Sequence, residues 1–303
     1  MISVQVKELT KSYGDLIAID NISFEINKGE LFGFIGPDGA GKTTLFRILV
    51  TLLIQDKGTA FMEGFDVVKE YKKIRKMVGY MPGRFSLYQD LSVEENLKFF
   101  ATIFGTTIEE NYDLIKDIYH QIEPFKKRLA GKLSGGMKQK LALSCAMIHK
   151  PEVLILDEPS TGVDAVSRKE FWEMLSKLKE SNITIIVSTP YMDEASLCDR
   201  VALIQNGKIL SIDKPAIIMK GFPKPLLAIR TNKMFNLLYD MREYKNTHTV
   251  YPFGDYFHFT PINDNYDRKD IENYLVSKGH INIMIEKIDA NIEDCFMELM
   301  KKN

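Results

Sequence analysis

The stretch Gly36-Pro37-Asp38-Gly39-Ala40-Gly41-Lys42-Thr43-Thr44 carries the strongest chemical pattern in the sequence. Two glycines separated by four residues, then a lysine and a hydroxyl, make a phosphate loop when they lie between a strand and a helix. The glycines let backbone N–H groups turn inward around phosphate oxygens, and the helix that follows adds its positive dipole end. Lys42 can then reach β- and γ-phosphates, and the Thr43 hydroxyl can ligate Mg²⁺. Farther along, Val153-Leu154-Ile155-Leu156-Asp157-Glu158 is an aliphatic run closed by two carboxylates. Asp157 suits holding Mg²⁺ at the strand end, and Glu158 suits polarising a water that attacks a γ-phosphate. An acidic cap on a strand-to-loop turn is the plainer alternative. Between these motifs, Leu133-Ser134-Gly135-Gly136-Met137-Lys138-Gln139-Lys140 opens a helix with a serine and two glycines. It reads as a second anion cradle, which would close over a nucleotide held by another molecule facing it head to tail, or as an ordinary serine N-cap.

These residues need elements to hold them. Leu31-Phe32-Gly33-Phe34-Ile35 is apolar throughout, as a strand buried on both faces is, and it runs directly into the glycine loop. The pattern from Thr43 to Leu53 predicts the helix after the loop. Ile2 to Leu9 and Ile22 to Ile26 alternate as half-buried antiparallel strands do. From 84 to 150 the pattern turns helical, with a capping box at Ser92-Val93-Glu94-Glu95 opening a helix to Phe104 and further helices over Asn111 to Leu129 and Gly135 to His149. Strands return at Val153 to Leu156, Thr184 to Ser188 and Val201 to Ile204, with a crossover helix over Phe171 to Lys179. Alternation of this kind implies a parallel sheet with helices on its faces. Proline and glycine cluster from Lys214-Pro215 to Pro225, marking a boundary. Beyond it lies a small accessory region rich in aromatics (Tyr251, Phe253, Tyr256, Phe257, Phe259) without a motif that carries chemistry. No internal repeat is visible, so one nucleotide-binding unit is expected.

Taken in order, these motifs resemble the nucleotide-binding subunit of an ATP-binding cassette transporter, over residues 1 to about 215, closest in flavour to single-cassette exporter ATPases with a C-terminal extension. The resemblance implies an α/β fold: a P-loop NTPase cassette with a mixed sheet core, an antiparallel β subdomain and a helical subdomain at about 84–150. A small C-terminal α+β domain at 222–303 completes the expected organisation. It implies ATP and Mg²⁺ as cofactors, held by Gly36 to Thr44 with Thr43 and Asp157 at the metal and Glu158 as the catalytic carboxylate. Tyr13, in Lys11-Ser12-Tyr13-Gly14, takes the place of the aromatic that stacks on adenine. Ser134, Gly135 and Gly136 fall in the family signature that meets ATP on an opposing subunit, and Asp164, in Ser160-Thr161-Gly162-Val163-Asp164, helps couple the two sites.

Two positions depart from the family. Gly83, in Gly79-Tyr80-Met81-Pro82-Gly83-Arg84-Phe85, stands where a glutamine usually contacts Mg²⁺ and the water. Pro190, in Ser188-Thr189-Pro190-Tyr191, stands where a histidine usually bonds the γ-phosphate. Glycine has no side chain and proline has no ring N–H to donate, so neither can do this. The five histidines (His120, His149, His248, His258, His280) lie elsewhere in the sequence and are read as surface or core residues. The expectation is a site that binds MgATP and hydrolyses it slowly, paired with a second nucleotide-binding subunit in a hetero- or homodimer.

Composition limits what else the chain could be. With 303 residues, 45% of them hydrophobic and 27% charged, it can bury a real core. Forty basic residues against 41 acidic ones leave a net charge of −1, which advertises no nucleic-acid partner. Three scattered cysteines lack metal-ligand spacing and fit a reducing compartment. The start lacks a signal-peptide pattern, and the longest apolar run, Leu45 to Ile54, is too short to span a bilayer. The resemblance implies a separate integral membrane transporter subunit, with the chain peripheral on the cytoplasmic face and the Met81 to Asp90 loop docking its coupling segment; Phe85, Leu87 and Tyr88 fit that surface, and core packing is an equally good reading for each of them. A soluble cassette acting on ribosomes or DNA, and a regulatory cassette that never hydrolyses, are the alternatives.

Overall fold

A computed structural model describes residues 1–301. The first four strands are β1 (Ile2–Tyr13), β2 (Leu16–Asn27), β3 (Leu31–Ile35) and β4 (Lys57–Met62), with helix α1 (Lys42–Leu49) between the last two. The short β5 (Phe65–Asp66), α2 (Tyr71–Met77) and β6 (Val78–Met81) follow. Next come α3 (Val93–Ile103), α4 (Tyr112–Tyr119) and α5 (Gly135–Met147). The core then continues through β7 (Val153–Asp157), α6 (Ala165–Glu180), β8 (Thr184–Thr189), β9 (Arg200–Gln205) and β10 (Lys208–Asp213). Two sheets result. One is antiparallel, in the order β2-β1-β4-β5. The other has six strands in the order β10-β9-β3-β8-β7-β6, parallel except where β10 folds back on β9.

The wholly apolar strands sit in the middle of the six-stranded sheet because both of its faces are covered. Every residue of β3, β7 and β8 is buried. Phe24, Phe32, Phe34 and Phe46 interlock between the two sheets with ring centroids 5.1–6.4 Å apart, a spacing at which aromatic pairs attract.

Local chemistry explains where elements stop. The capping box at α3 is complete: Ser92 Oγ accepts from Glu95 N, and the Glu95 carboxylate accepts from Ser92 N. Asp164 caps α6 by accepting from Val166 N and Ser167 N, so that helix starts at Ala165, earlier than the apolar pattern suggested. Two expected helices are shorter than their patterns. The helix expected to reach Leu53 ends at Leu49, and Thr51 turns to φ +64°. The helix expected over Asn111 to Leu129 ends at Tyr119. Pro124 sits in a single 3₁₀ turn, Glu123–Phe125, and the chain then passes through a further turn to bridge Leu129 with Ser92. Proline removes an N–H and disfavours helical geometry in the residue before it.

The chain divides into two compact units, the second being Ala216–Glu298 and the first comprising Met1–Pro215 with Leu299–Lys301 among the described residues. The second contains all but the first residue of α7 (Pro215–Lys220), then β11 (Leu226–Arg230), α8 (Met234–Glu243), β12 (Thr247–Phe253), β13 (Tyr256–Pro261), α9 (Arg268–Ser277), β14 (Met284–Ile288) and α10 (Ile292–Lys301) as far as Glu298. Its sheet is antiparallel in the order β12-β13-β11-β14, the split βαβ arrangement. Leu227, Ile229, Leu237, Met241, Phe259, Ile271 and Leu275 form its own core.

Candidate functional site

The phosphate loop leaves the end of β3 and is tied down at once, because Gly36 N donates to Thr189 O at 3.2 Å. A Cβ on Gly36 would lie 2.1 Å from Ile204 O, and one on Gly41, at φ +103°, would lie 2.3 Å from Ala18 O. No side chain fits either place. Helix α1 then begins at Lys42 with no side-chain cap and no acidic residue in its first turn. Its first N–H groups and positive end are left unopposed, which suits an anion.

The Lys42 side chain is only 3% exposed. Its ammonium donates to Gly36 O at 2.7 Å and Pro37 O at 3.0 Å and lies 3.2 Å from Glu158 Oε1. The loop lysine and the second carboxylate, distant in sequence, therefore form an ion pair. Asp157 ends β7, is buried, and accepts from Ser188 Oγ at 2.6 Å. Glu158 turns to φ +50°, and its N–H is shared between Ser188 O and Ser188 Oγ. The nearby Tyr80 phenol is pushed up to about 12, first by burial and then by the charge of Asp157, so it stays protonated at neutral pH.

Tyr13, Asp38, Gly39, Ala40, Gly41, Lys42, Thr43, Thr44 and Glu158 line one cleft of about 430 Å³, with Leu16, Ile17, Ala18 and Asn206. Tyr13 is 46% exposed at the end of β1, where a planar base could lie on it. Gly36, Pro37 and Asp157 are not part of that lining. Ser134, Gly135 and Gly136 are not brought to it either. They open α5, where Ser134 Oγ accepts from Met137 N in the ordinary N-cap manner. Ser134 and Gly135 are exposed, while a Cβ on Gly136 would strike Ser167 Oγ at 2.7 Å, so this helix start packs against that of α6.

A Cβ on Gly83 would stand 3.1 Å from Asp157 O and 3.8 Å from Asp157 Cγ. A side chain there would lie against Asp157, and glycine supplies none. Pro190 directly follows Thr189, whose carbonyl holds the phosphate loop. Thr189 Oγ1 donates to the buried Glu194, which Arg168 approaches at 3.9 Å. No histidine lines the cleft.

A second, apolar groove of about 420 Å³ runs between the helical segment and the sheet edge, lined by Leu52, Tyr80, Met81, Pro82, Leu87, Phe100, Ile103, Phe104, Cys145 and His149 among others. Of the expected docking residues, Leu87 is buried in its wall, Tyr88 is half exposed and meets Phe99 edge-on at 4.8 Å, and the Phe85 ring lies under Lys138 at 5.4 Å. His149 stacks on Phe104 at 3.7 Å, and burial holds its pKa below the usual value.

Sequence reasoning missed Ser188, Asn206 and the Lys42–Glu158 pair. Ser188 left a signal, a lone serine after Thr184-Ile185-Ile186-Val187 in a strand with no exposed position. Asn206 left none.

Among the described residues, no cluster of three or more His, Cys, Asp or Glu could hold a metal ion. The Thr43 hydroxyl and the Asp157 carboxylate are hard oxygen donors, too few for Mg²⁺ alone. That donor set fits a magnesium that keeps waters and shares phosphate oxygens.

Comparison with known proteins agrees with this geometry. The family model described as ABC transporter matches residues 19–161. The chain is 39% identical over 214 residues to the probable multidrug ABC transporter ATP-binding protein YbhF of Escherichia coli (strain K12); the match takes in 70% of this chain and 37% of that protein, so the chain spans little more than a third of that relative. It is 35% identical over 221 residues to the Nod factor export ATP-binding protein I of Burkholderia lata, across 72% of this chain and 73% of that one. Among solved structures, the dimeric post-hydrolysis state of the ATP-binding cassette MJ0796 with ADP and Pi superimposes with a TM-score of 0.63 at 25% identity, covering 70% of this chain and 98% of that chain. With phosphate loop, carboxylate pair and signature in the family's order, and a relative this similar along most of its length, the chain belongs to the ABC transporter family and carries its ATP-binding cassette.

Proposed function

We propose that this chain binds MgATP in the Tyr13–Lys42–Glu158 cleft and powers transport through a separate integral membrane subunit, as an exporter component peripheral to the cytoplasmic face. The observation that carries the proposal is the convergence of Lys42, Thr43, Tyr13 and Glu158 on one cleft of about 430 Å³. Residues 1–215 form the cassette in this reading and 222–303 an accessory domain. The apolar groove walled by Leu87 and Phe100 takes the membrane subunit's coupling segment.

Each residue has a defined task. Tyr13 stacks on the adenine, and the N–H groups from Gly39 to Thr44 surround the phosphates. The Lys42 ammonium exchanges Gly36 O and Pro37 O for β- and γ-phosphate oxygens. This loosens its pairing with Glu158, whose carboxylate becomes available to accept a proton from the attacking water. Thr43 and Asp157 hold Mg²⁺, which supplies charge neutralisation at the phosphates. Ser134, Gly135 and Gly136 serve the nucleotide of a second subunit, as the exposure of Ser134 and Gly135 at the start of α5 allows.

Turnover at this chain's own site is slow, because Gly83 withholds an amide that would contact Mg²⁺ and the water and Pro190 withholds a donor that would face the γ-phosphate. Losing one preorganised donor costs roughly 10²–10³ in rate. Titration calorimetry with a non-cleavable ATP analogue and Mg²⁺ tests the binding claim. Heat is expected for the wild type and none for Lys42→Ala; no heat from the wild type overturns the proposal.

A further inference from the structure

Resting on that reading of the cleft, we infer that Ser188 is the residue that positions the two carboxylates, setting Asp157 for the metal and Glu158 for the water. The strands β7 and β8 run parallel with Asp157 beside Ser188. One fully buried hydroxyl serves both acids: it donates to Asp157 Oδ1 at 2.6 Å and accepts from Glu158 N at 3.0 Å. The Ser188 carbonyl takes the same Glu158 N–H at 3.1 Å.

Both bonds answer a physical need. Glu158 has φ +50°, a region that a residue with a Cβ enters only when its surroundings hold it there. Two acceptors on one residue supply that hold. Asp157 is a buried carboxylate, and the hydroxyl fixes which of its oxygens remains turned toward a metal. The residue types argue the same way. Ile185, Ile186 and Val187 precede it and every position of β8 is buried, so a hydroxyl here would be costly without partners and brings no packing advantage over alanine or valine.

The test compares isosteric variants, Ser188→Thr and Ser188→Val, with Ser188→Ala alongside. Calorimetry measures affinity for a non-cleavable ATP analogue with and without Mg²⁺, steady-state phosphate release gives kcat and KM, and thermal melting confirms folding. Ser188→Ala and Ser188→Val should keep the metal-free affinity while losing about 10-fold or more of the Mg²⁺ enhancement and of kcat, the scale of an outer-shell defect at a metal site. Ser188→Thr, which restores the hydroxyl, should recover both. If Ser188→Val matches Ser188→Thr in Mg²⁺ enhancement and kcat, the hydroxyl only fills the strand and the inference is wrong. Should either branched side chain fail to fold, Ser188→Ala against wild type decides on the same two readouts. Wild-type protein without Mg²⁺-dependent binding would instead sink the proposed MgATP function of the cleft.

Discussion

At the scale of single residues, the cleft is organised by which polar atoms are spent on the protein and which are left for a nucleotide. Lys42 is held by two loop carbonyls and Glu158, so a charged side chain that is almost wholly buried remains paired. Glu158→Gln should abolish measurable phosphate release while retaining analogue binding, because the amide still fits beside Lys42 but cannot take a proton. The missing donors make a sharper prediction. Pro190→His should raise kcat by roughly 10-fold or more, within the range a preorganised donor supplies. Gly83→Gln should add less on its own, since its Cβ must fit 3.1 Å from Asp157 O and the loop has to give by a few tenths of an ångström. Steady-state turnover of the two single variants and the double variant checks both claims. The sequence pointed to Lys42, Glu158, Gly83 and Pro190 because each carries or lacks a functional group at a fixed place in a motif. It could not show that Lys42 meets Glu158, since no spacing rule links a loop after β3 to the end of β7.

At the scale of elements, caps and burial set the boundaries. Ser92 is buried and closes both halves of its capping box, so Ser92→Ala should cost about 1 kcal/mol, read as a lower urea midpoint at unchanged slope. His149 makes a pH prediction. Its folded pKa lies below the usual 6.5 because the ring is buried against Phe104, with Nε2 on Val78 O and Nδ1 without a protein partner. The unfolded chain therefore binds a proton more readily than the folded one. Stability from this site is full above about pH 6.5 and falls as the pH drops toward the folded value. The melting temperature should decline with acid in that window, and His149→Phe should flatten that part of the profile. Because the ring lines the apolar groove, acid should also weaken whatever docks there. The sequence patterns located these helices but overran α1 and α4, since apolar periodicity continues past the point where Thr51 turns left-handed or Pro124 removes a donor.

At the scale of the whole molecule, the cleft is one half of a larger arrangement in the proposed function. Ser134 and Gly135 are exposed and do not line their own chain's cleft, so Ser134→Arg should leave analogue affinity unchanged in the isolated chain. It should, however, abolish ATP-dependent association with a second cassette, a difference that sedimentation velocity with and without nucleotide would read. What the sequence determined by itself was every contiguous group whose chemistry depends on neighbours along the chain: the glycine loop, the aliphatic strand with its two acids, the serine cap of α3 and the absence of donors at 83 and 190. Those follow from local backbone geometry and side-chain type, which a short window contains. Only the tertiary structure decided that Tyr13 shares a cleft with Lys42, that one serine on β8 bridges both acids, and that residues 226–288 make a split βαβ unit. These depend on which strands lie side by side in a sheet, and strand order arises from the burial of all the apolar faces together, which no short stretch of residues encodes.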